Sequence, residues 1–154
     1  MKEAADEGDV VAIPIDDKVS VGQVVRARGG IILLCVFPDL FAVDVVSAIE
    51  DEYFSTPIYL VGTMDNWIED GRWQIVGRRQ VADTIAVPRY KVEIGSSGTF
   101  RVQEFGGALG EEISREVAAS LRSPKTYSPA TVVKAIRAYH DLDVWERRFE
   151  DFVI

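Results

Sequence analysis

Seven consecutive apolar residues, Ile31-Ile32-Leu33-Leu34-Cys35-Val36-Phe37, follow the pair Gly29-Gly30. The run is too short and too rich in β-branched residues to favour a helix. It predicts a central strand entered from a tight glycine turn. An apolar side chain at every position, instead of every second one, requires cover on both faces of the sheet. Whatever the rest of the chain does, it must supply material for two flanking layers. With 154 residues, 47% of them apolar, one domain can do so. A folded chain of this size hides roughly 68–70% of its unfolded surface and needs no metal or disulfide for stability.

The β pattern extends over the first two-thirds of the chain. Residues 10–13 form a short apolar run, and Pro14 predicts an edge strand or a strand end there. Asp16-Asp17-Lys18 reads as a turn, and residues 19–26 as a strand in which Gly22 suggests a bulge or bend. Residues 41–49 fit a strand or a helical turn equally well. Further strands are expected at 57–62 and 72–77, on either side of an acidic turn at 64–71, and at 87–94 and 100–105. In the 72–77 strand Trp73 alternates with Ile75 and should point inward.

After Gly106-Gly107 the period changes. Ile113, Val117 and Leu121 share one helical face, with Glu111 and Glu112 in the first turn, where the helix dipole favours acids. Ser128-Pro129 matches an N-cap followed by proline at the first helical position, with Val132, Val133, Ile136 and Tyr139 as the apolar stripe. Asp143 and Glu146 have capping-box spacing ahead of a short third helix lined by Trp145, Phe149 and Phe152. The expected fold is α+β. A curled antiparallel sheet or partly open β-barrel fills the first two-thirds, and C-terminal helices cover it. It is expected to form a single domain over 1–154, with a β-rich region at 8–105 and a helical extension at 106–154.

Charge is unevenly spread. The formal net charge is −8, from 17 Lys+Arg and 25 Asp+Glu, and the pI is near 4.7. That balance argues against nonspecific nucleic-acid binding and against anionic membranes, both of which need clustered cations. Residues 29–71 contain no Lys or Arg and hold eight acids: Asp39, Asp44, Glu50, Asp51, Glu52, Asp65, Glu69 and Asp70. One reading is a solvated surface that keeps a β-rich protein soluble and discourages edge pairing. The other is a negative face that steers a positively charged partner. Trp67, set among these acids in a predicted turn, is the candidate aromatic anchor for such a partner.

Little here resembles a catalytic centre. One Cys and one His exclude an intrachain disulfide, a cysteine-based zinc site and a multi-His metal site. Cys35 lies within the apolar run and reads as a small core residue. His140 reads as a cation-capable side chain near a helix C-terminus. No phosphate-binding glycine motif occurs, and the carboxylates around Asp65 lack the pattern of an EF-hand. No enzymatic activity, cofactor or metal is expected. The first nine residues are acidic and lack the apolar stretch of a secretory leader, and the longest apolar run is far below the ~18 residues of a membrane span. A soluble cytoplasmic protein is expected.

Four segments recur in a familiar order. They are Gly8-Asp9-Val10-Val11-Ala12-Ile13-Pro14, Val21-Gly22-Gln23-Val24-Val25, Gly71-Arg72-Trp73-Gln74-Ile75-Val76-Gly77 and Val87-Pro88-Arg89-Tyr90. Their order and spacing resemble the immunity protein 26 family of bacterial polymorphic toxin systems, over roughly residues 8–105. The resemblance implies a protein that protects a toxin-producing cell by binding the toxin's catalytic domain. It carries over no catalytic residues. The opening segments are also similar, at the level of fold alone, to SH3-like barrels that include ribonuclease toxins of the PemK type. The catalytic Arg and Ser/Thr positions of those toxins do not align here.

Two functions follow as expectations. The first is an immunity protein that neutralises a cognate, basic toxin domain, expected to be a nuclease, through the eight acids and Trp67. A nuclease must attract phosphates, and an acidic inhibitor mimics that charge. The second is a small β-barrel module binding a ligand or peptide, or a minor hydrolase built on His140 and Asp141.

Overall fold

The computed structural model describes residues 4–154. The chain divides into two compact units, one running to Ile85 and resuming over Thr126–Ile154, the other Ala86–Lys125. The change of period at Gly106-Gly107 is not the dividing point. It falls inside the smaller unit, at the turn between two of its strands.

The larger unit is built on five strands, β1 (Asp9–Ile15), β2 (Lys18–Arg28), β3 (Ile31–Phe41), β4 (Tyr59–Met64) and β5 (Gln74–Arg78). Their order in the sheet is β4-β3-β2-β1-β5, every neighbour antiparallel. The sheet does not close into a barrel, because β4 and β5 remain its two edges. Gly29 and Gly30, with φ of 59° and 84°, join Arg28 to Ile31 in the two-residue turn that requires positive φ at both positions. The register of β2 on β3 slips between Ser20 and Gly22, the bulge that a glycine inside a strand suggests.

Pro14 proves compatible with an inner strand. It pairs with Val19 next to the Ile15–Lys18 pair that closes the hairpin, and β5 reaches only as far as Ala12. The pair beside a hydrogen-bonded hairpin closure is a non-hydrogen-bonded one, so the missing N–H points to the side where β5 has ended.

Both faces of β3 are covered, as the unbroken apolar run demands. Residues 32–37 are all buried. On one face, helix α3 (Pro129–Tyr139) lays Val132, Ala135 and Ile136 against Val11, Ile13, Leu34 and Val36. Ser128 caps it by accepting the Thr131 N–H, with Pro129 following. A 3-10 helix at Arg147–Phe152 adds Phe149 and Phe152 to the same layer. Each fully buried Val, Ile or Phe contributes roughly 1.5–3 kcal/mol. Tyr59 of β4 ties the layers together by donating its hydroxyl hydrogen to the Ala135 carbonyl at 2.8 Å. On the other face, two short 3-10 helices, Val43–Ala48 and Asp51–Ser55, bury Val46 and Phe54, and Phe54 meets Phe37 edge-on at 5.1 Å. Residues 41–49 are thus divided between the end of β3 and a helical turn.

The short helix α1 (Asn66–Glu69) lies within the acidic turn between β4 and β5, and Trp73 behind it is buried as its alternation predicts. The smaller unit is a three-stranded antiparallel meander, β6 (Arg89–Glu93), β7 (Phe100–Glu104) and β8 (Leu109–Ile113), followed by α2 (Arg115–Ser120). The helical face expected from Ile113, Val117 and Leu121 is therefore broken. Ile113 pairs with Phe100, and Ser114 caps a six-residue helix that leaves Val117 exposed. Gly110 allows β8 to approach β7, since a Cβ there would stand 3.0 Å from the Val102 carbonyl oxygen.

The C-terminal aromatics also differ from the helical spacing. Trp145 lies outside the 3-10 helix and is 39% exposed, because Glu146 rather than Asp143 precedes that helix and makes no side-chain cap. Asp143 accepts instead from Arg137 at 2.8 Å. Among the described residues no helix is long and apolar enough to cross a membrane.

Candidate functional site

The structure splits the acidic stretch into two groups at opposite ends of β3. The Asp65 N–H donates to the Gly30 carbonyl oxygen, which fixes Asp65, Trp67, Glu69 and Asp70 near the start of the strand. Asp39 lies at the other end, nine residues on, or about 30 Å of extended chain. Asp44, Glu50, Asp51 and Glu52 follow on the segment of two 3-10 helices, which folds back over one face of the sheet so that Asp51 meets Arg79 level with the middle of β3. The eight acids and Trp67 therefore do not form one face.

At α1 the local chain supplies a cation for Asp70. Asp65 is buried beneath the turn. Asp70 accepts the Arg72 N–H at 3.1 Å and pairs with its guanidinium at 3.4 Å. Arg72 stacks over Trp67 at 5.0 Å, and Trp67 packs edge-on against buried Trp73 at 5.8 Å. Trp67 is half-buried and belongs to the cover of the core, so it presents less free aromatic surface than an isolated anchor in a turn would.

The group at the far end is held differently. Arg79 is its latch. Its backbone is fixed to the sheet, with its N–H donating to the Gly8 carbonyl at 2.9 Å and its own carbonyl accepting from the buried Gln23 amide at 2.9 Å. Its side chain then reaches across to the 3-10 segment. There it pairs with Asp51, donates to the Ile49 carbonyl at 2.6 Å and lies 4.7 Å over the Phe54 ring. Tyr53 joins this segment to the end of β3: its hydroxyl oxygen accepts the Asp39 N–H at 2.9 Å, and its ring meets Phe41 at 5.4 Å. Burial pushes the Tyr53 hydroxyl well above the usual phenol range.

Once Arg79 has taken Asp51, four exposed acids are left, Asp39, Asp44, Glu50 and Glu52, and none is ion-paired among the described residues. Beside Asp44 stand Val43 and Val45, 56% and 43% exposed. Exposed apolar side chains among unpaired like charges mark a surface suited to a partner of opposite charge. Sequence reasoning missed Val43 and Val45, because nothing in a six-residue apolar pattern says which side chains a 3-10 helix turns outward. Arg79 was unreadable too, since it acts on residues about 30 positions away.

A cleft of about 750 Å³ lies beside this segment, lined by Val10, Val46, Phe54, Val76 and Val81, with Asp51, Arg78 and Arg79 among its polar groups. Two of those groups already bind each other. Elsewhere, Cys35 is fully buried, and burial pushes its thiol up to about 12, far from a reactive thiolate. His140 caps the C-terminus of α3, and its Nε2 is buried without a partner among the described residues. Burial lowers its pKa, against the opposing pull of Asp39 and Asp141. Among the described residues no group of three or more His, Cys, Asp and Glu side chains is arranged to hold a metal.

No family model, curated protein or solved structure matches this chain.

Proposed function

We propose that this chain is an immunity protein that binds and neutralises a basic toxin domain, a nuclease in the first instance, through the segment 39–52. One observation carries the reading. Asp39, Asp44, Glu50 and Glu52 are exposed and without ion-pair partners among the described residues, in a stretch without a single Lys or Arg, and Val43 and Val45 stand exposed among them. The four segments that resemble the immunity protein 26 family support the same reading. A nuclease surface must attract phosphate and is basic. An acidic face accelerates encounter with it by 10–10³-fold, an effect that salt weakens.

The experiment compares the two acidic groups. Reversing Asp44, Glu50 and Glu52 to lysine should slow association with the cognate toxin domain by at least about 10-fold at low salt. Reversing Glu69 and Asp70 should change it little. Association that ignores the first set, or co-expression that fails to rescue a host from that toxin, would falsify the proposal.

A second reading, a module that binds a small ligand or peptide, has the cleft beside β5 in its favour. A ligand that protects Val81 and Ala82 amides from hydrogen exchange would move the function there. Hydrolysis abolished by His140→Ala or Asp141→Asn would favour an enzyme instead.

A further inference from the structure

The 3-10 segment that carries the unpaired acids also forms one wall of the cleft beside β5. Val46, Ser47 and Phe54 come from that segment, and Val10 and Val76 face them from the sheet. In a 3-10 helix residues three apart stand in line, so Asp44 rises beside Ser47 at the cleft. The acids and the cleft thus share one face of the sheet. On the opposite wall the chain that continues from β5 supplies Val81 and Asp83.

Two features of β5 make the hollow. Its register on β1 shifts between Val10 and Val11, which leaves Val76 unpaired as a bulge, and Val76 joins the cleft lining. Gly77 pairs with Val10 and takes the same side of the sheet. Glycine weakens a strand, and neither usual reason for one applies at this position. Its φ lies outside the left-handed region, and a Cβ built on it would meet no atom within 4 Å. At Gly22, by contrast, a Cβ would stand 3.1 Å from the Leu34 side chain. What the missing side chain at Gly77 leaves is room, in a cleft of about 750 Å³ over an apolar floor.

The groups at the rim fix the sign of the occupant. Both arginines are spent within the chain. Arg79 is held by Asp51 and the Ile49 carbonyl, and Arg78 donates to the Glu7 carbonyl at 3.1 Å with Asp9 at 3.9 Å. Asp44 and Asp83 are exposed and have no ion-pair partner among the described residues. An apolar hollow rimmed by unpaired carboxylates is complementary to a cation on an apolar stem. We propose that the cleft beside β5 receives a lysine or arginine side chain of the toxin domain, its stem on Val10, Val76 and Val81 and its charged head at Asp44 and Asp83. This rests on the immunity reading above and names the contact to which the acidic segment guides its partner. The acids act at long range and set the rate of encounter, while the hollow acts only in contact and sets the rate of escape.

The first probe is n-hexylammonium, titrated into the full chain. It should shift the amide resonances of Val76, Gly77, Val81 and Ala82 to saturation, and hexanoate, with the opposite charge, should not. Asp44→Asn/Asp83→Asn, at two exposed positions, should weaken hexylammonium roughly 5-fold. Gly77→Leu, which fills the hollow, should abolish its binding, with melting curves of Gly77→Leu and Gly77→Ala checking that both fold. Absent shifts, or equal shifts from hexanoate, overturn the pocket whatever the fate of Gly77→Leu. Against the catalytically inactivated cognate toxin domain, Gly77→Leu should dissociate at least about 10-fold faster at an unchanged association rate. Hexylammonium binding alongside unchanged toxin dissociation overturns the partner's side chain as the occupant and leaves a site for a free amine. Failure of the pocket alongside slowed association of the Asp44/Glu50/Glu52 reversal leaves the immunity reading standing. No binding of the toxin domain by the unaltered chain overturns that reading and the occupant with it, while the hexylammonium titration still decides the pocket.

Discussion

The two ends of β3 carry the same kind of sequence and resolve it in opposite ways. Near Gly30, Asp70 finds its cation locally in Arg72, two residues on, and two tryptophans cover the turn. Past Phe37 there is no cation nearby in sequence. One arginine, Arg79, arrives from across the sheet and spends itself on Asp51 and two backbone carbonyls. It fastens the segment without neutralising it. An acidic run in a sequence is thus not yet a surface. What decides is whether tertiary structure brings a cation and what that cation is already bonded to.

That contrast can be broken first at Phe54, which is 2% exposed and joins the 3-10 segment to Phe37 and Arg79. Phe54→Ala should cost about 3–5 kcal/mol in urea denaturation, with hydrogen-exchange protection lost over residues 43–55 first. Protection lost instead at 65–70 would mean the two ends are not independent. Next in size is Arg79→Ala. It leaves the Ile49 and Ser47 carbonyls without this donor and should cost about 1–3 kcal/mol, with faster exchange at 43–55 and an intact sheet.

The matching change at the other end, Arg72→Ala, removes an exposed pair and a stacked guanidinium, and should cost at most about 1 kcal/mol. An Arg72 effect as large as that of Arg79 would erase the distinction between latch and surface pair. The smallest effect concerns pH. Burial lowers the His140 pKa in the fold, so the folded state resists protonation more than the unfolded chain does. Its penalty is absent above the ordinary value near ~6.5 and grows as pH falls through the lowered folded value. Comparing melting of the parent with His140→Gln, the difference should be flat above neutrality and favour the variant as pH drops toward 5. A difference that grows with rising pH would show that the coupling to Asp39 and Asp141 wins instead.

Much of the fold was legible in advance. The seven strands read from alternation and turn signals are present, the Gly22 bulge included, because period and turn chemistry are local properties of the backbone. Helix α3 was legible for the same reason, from Ser128, Pro129 and an apolar stripe. The strand β8 was not, because Leu109–Ile113 has no alternation of its own and is recruited by pairing with β7. Trp145 does not line the third helix that its spacing to Phe149 predicts, because that helix starts only after Glu146, whose backbone is extended. The candidate site was legible only as composition: the lack of cations between 29 and 71 was visible, its partition was not.

The sequence by itself determined that a two-faced central strand must exist, where its turns lie, and that a cation-free acidic stretch follows it. Those are consequences of residue identity and short-range periodicity. Only the tertiary structure decided which acids stay unpaired, since that depends on Arg79 reaching the 3-10 segment from about 30 residues away. It alone also decided that Leu142, Val144 and Trp145 stay exposed, because a Schellman turn and the Arg137 bridges hold the chain after α3 at the surface.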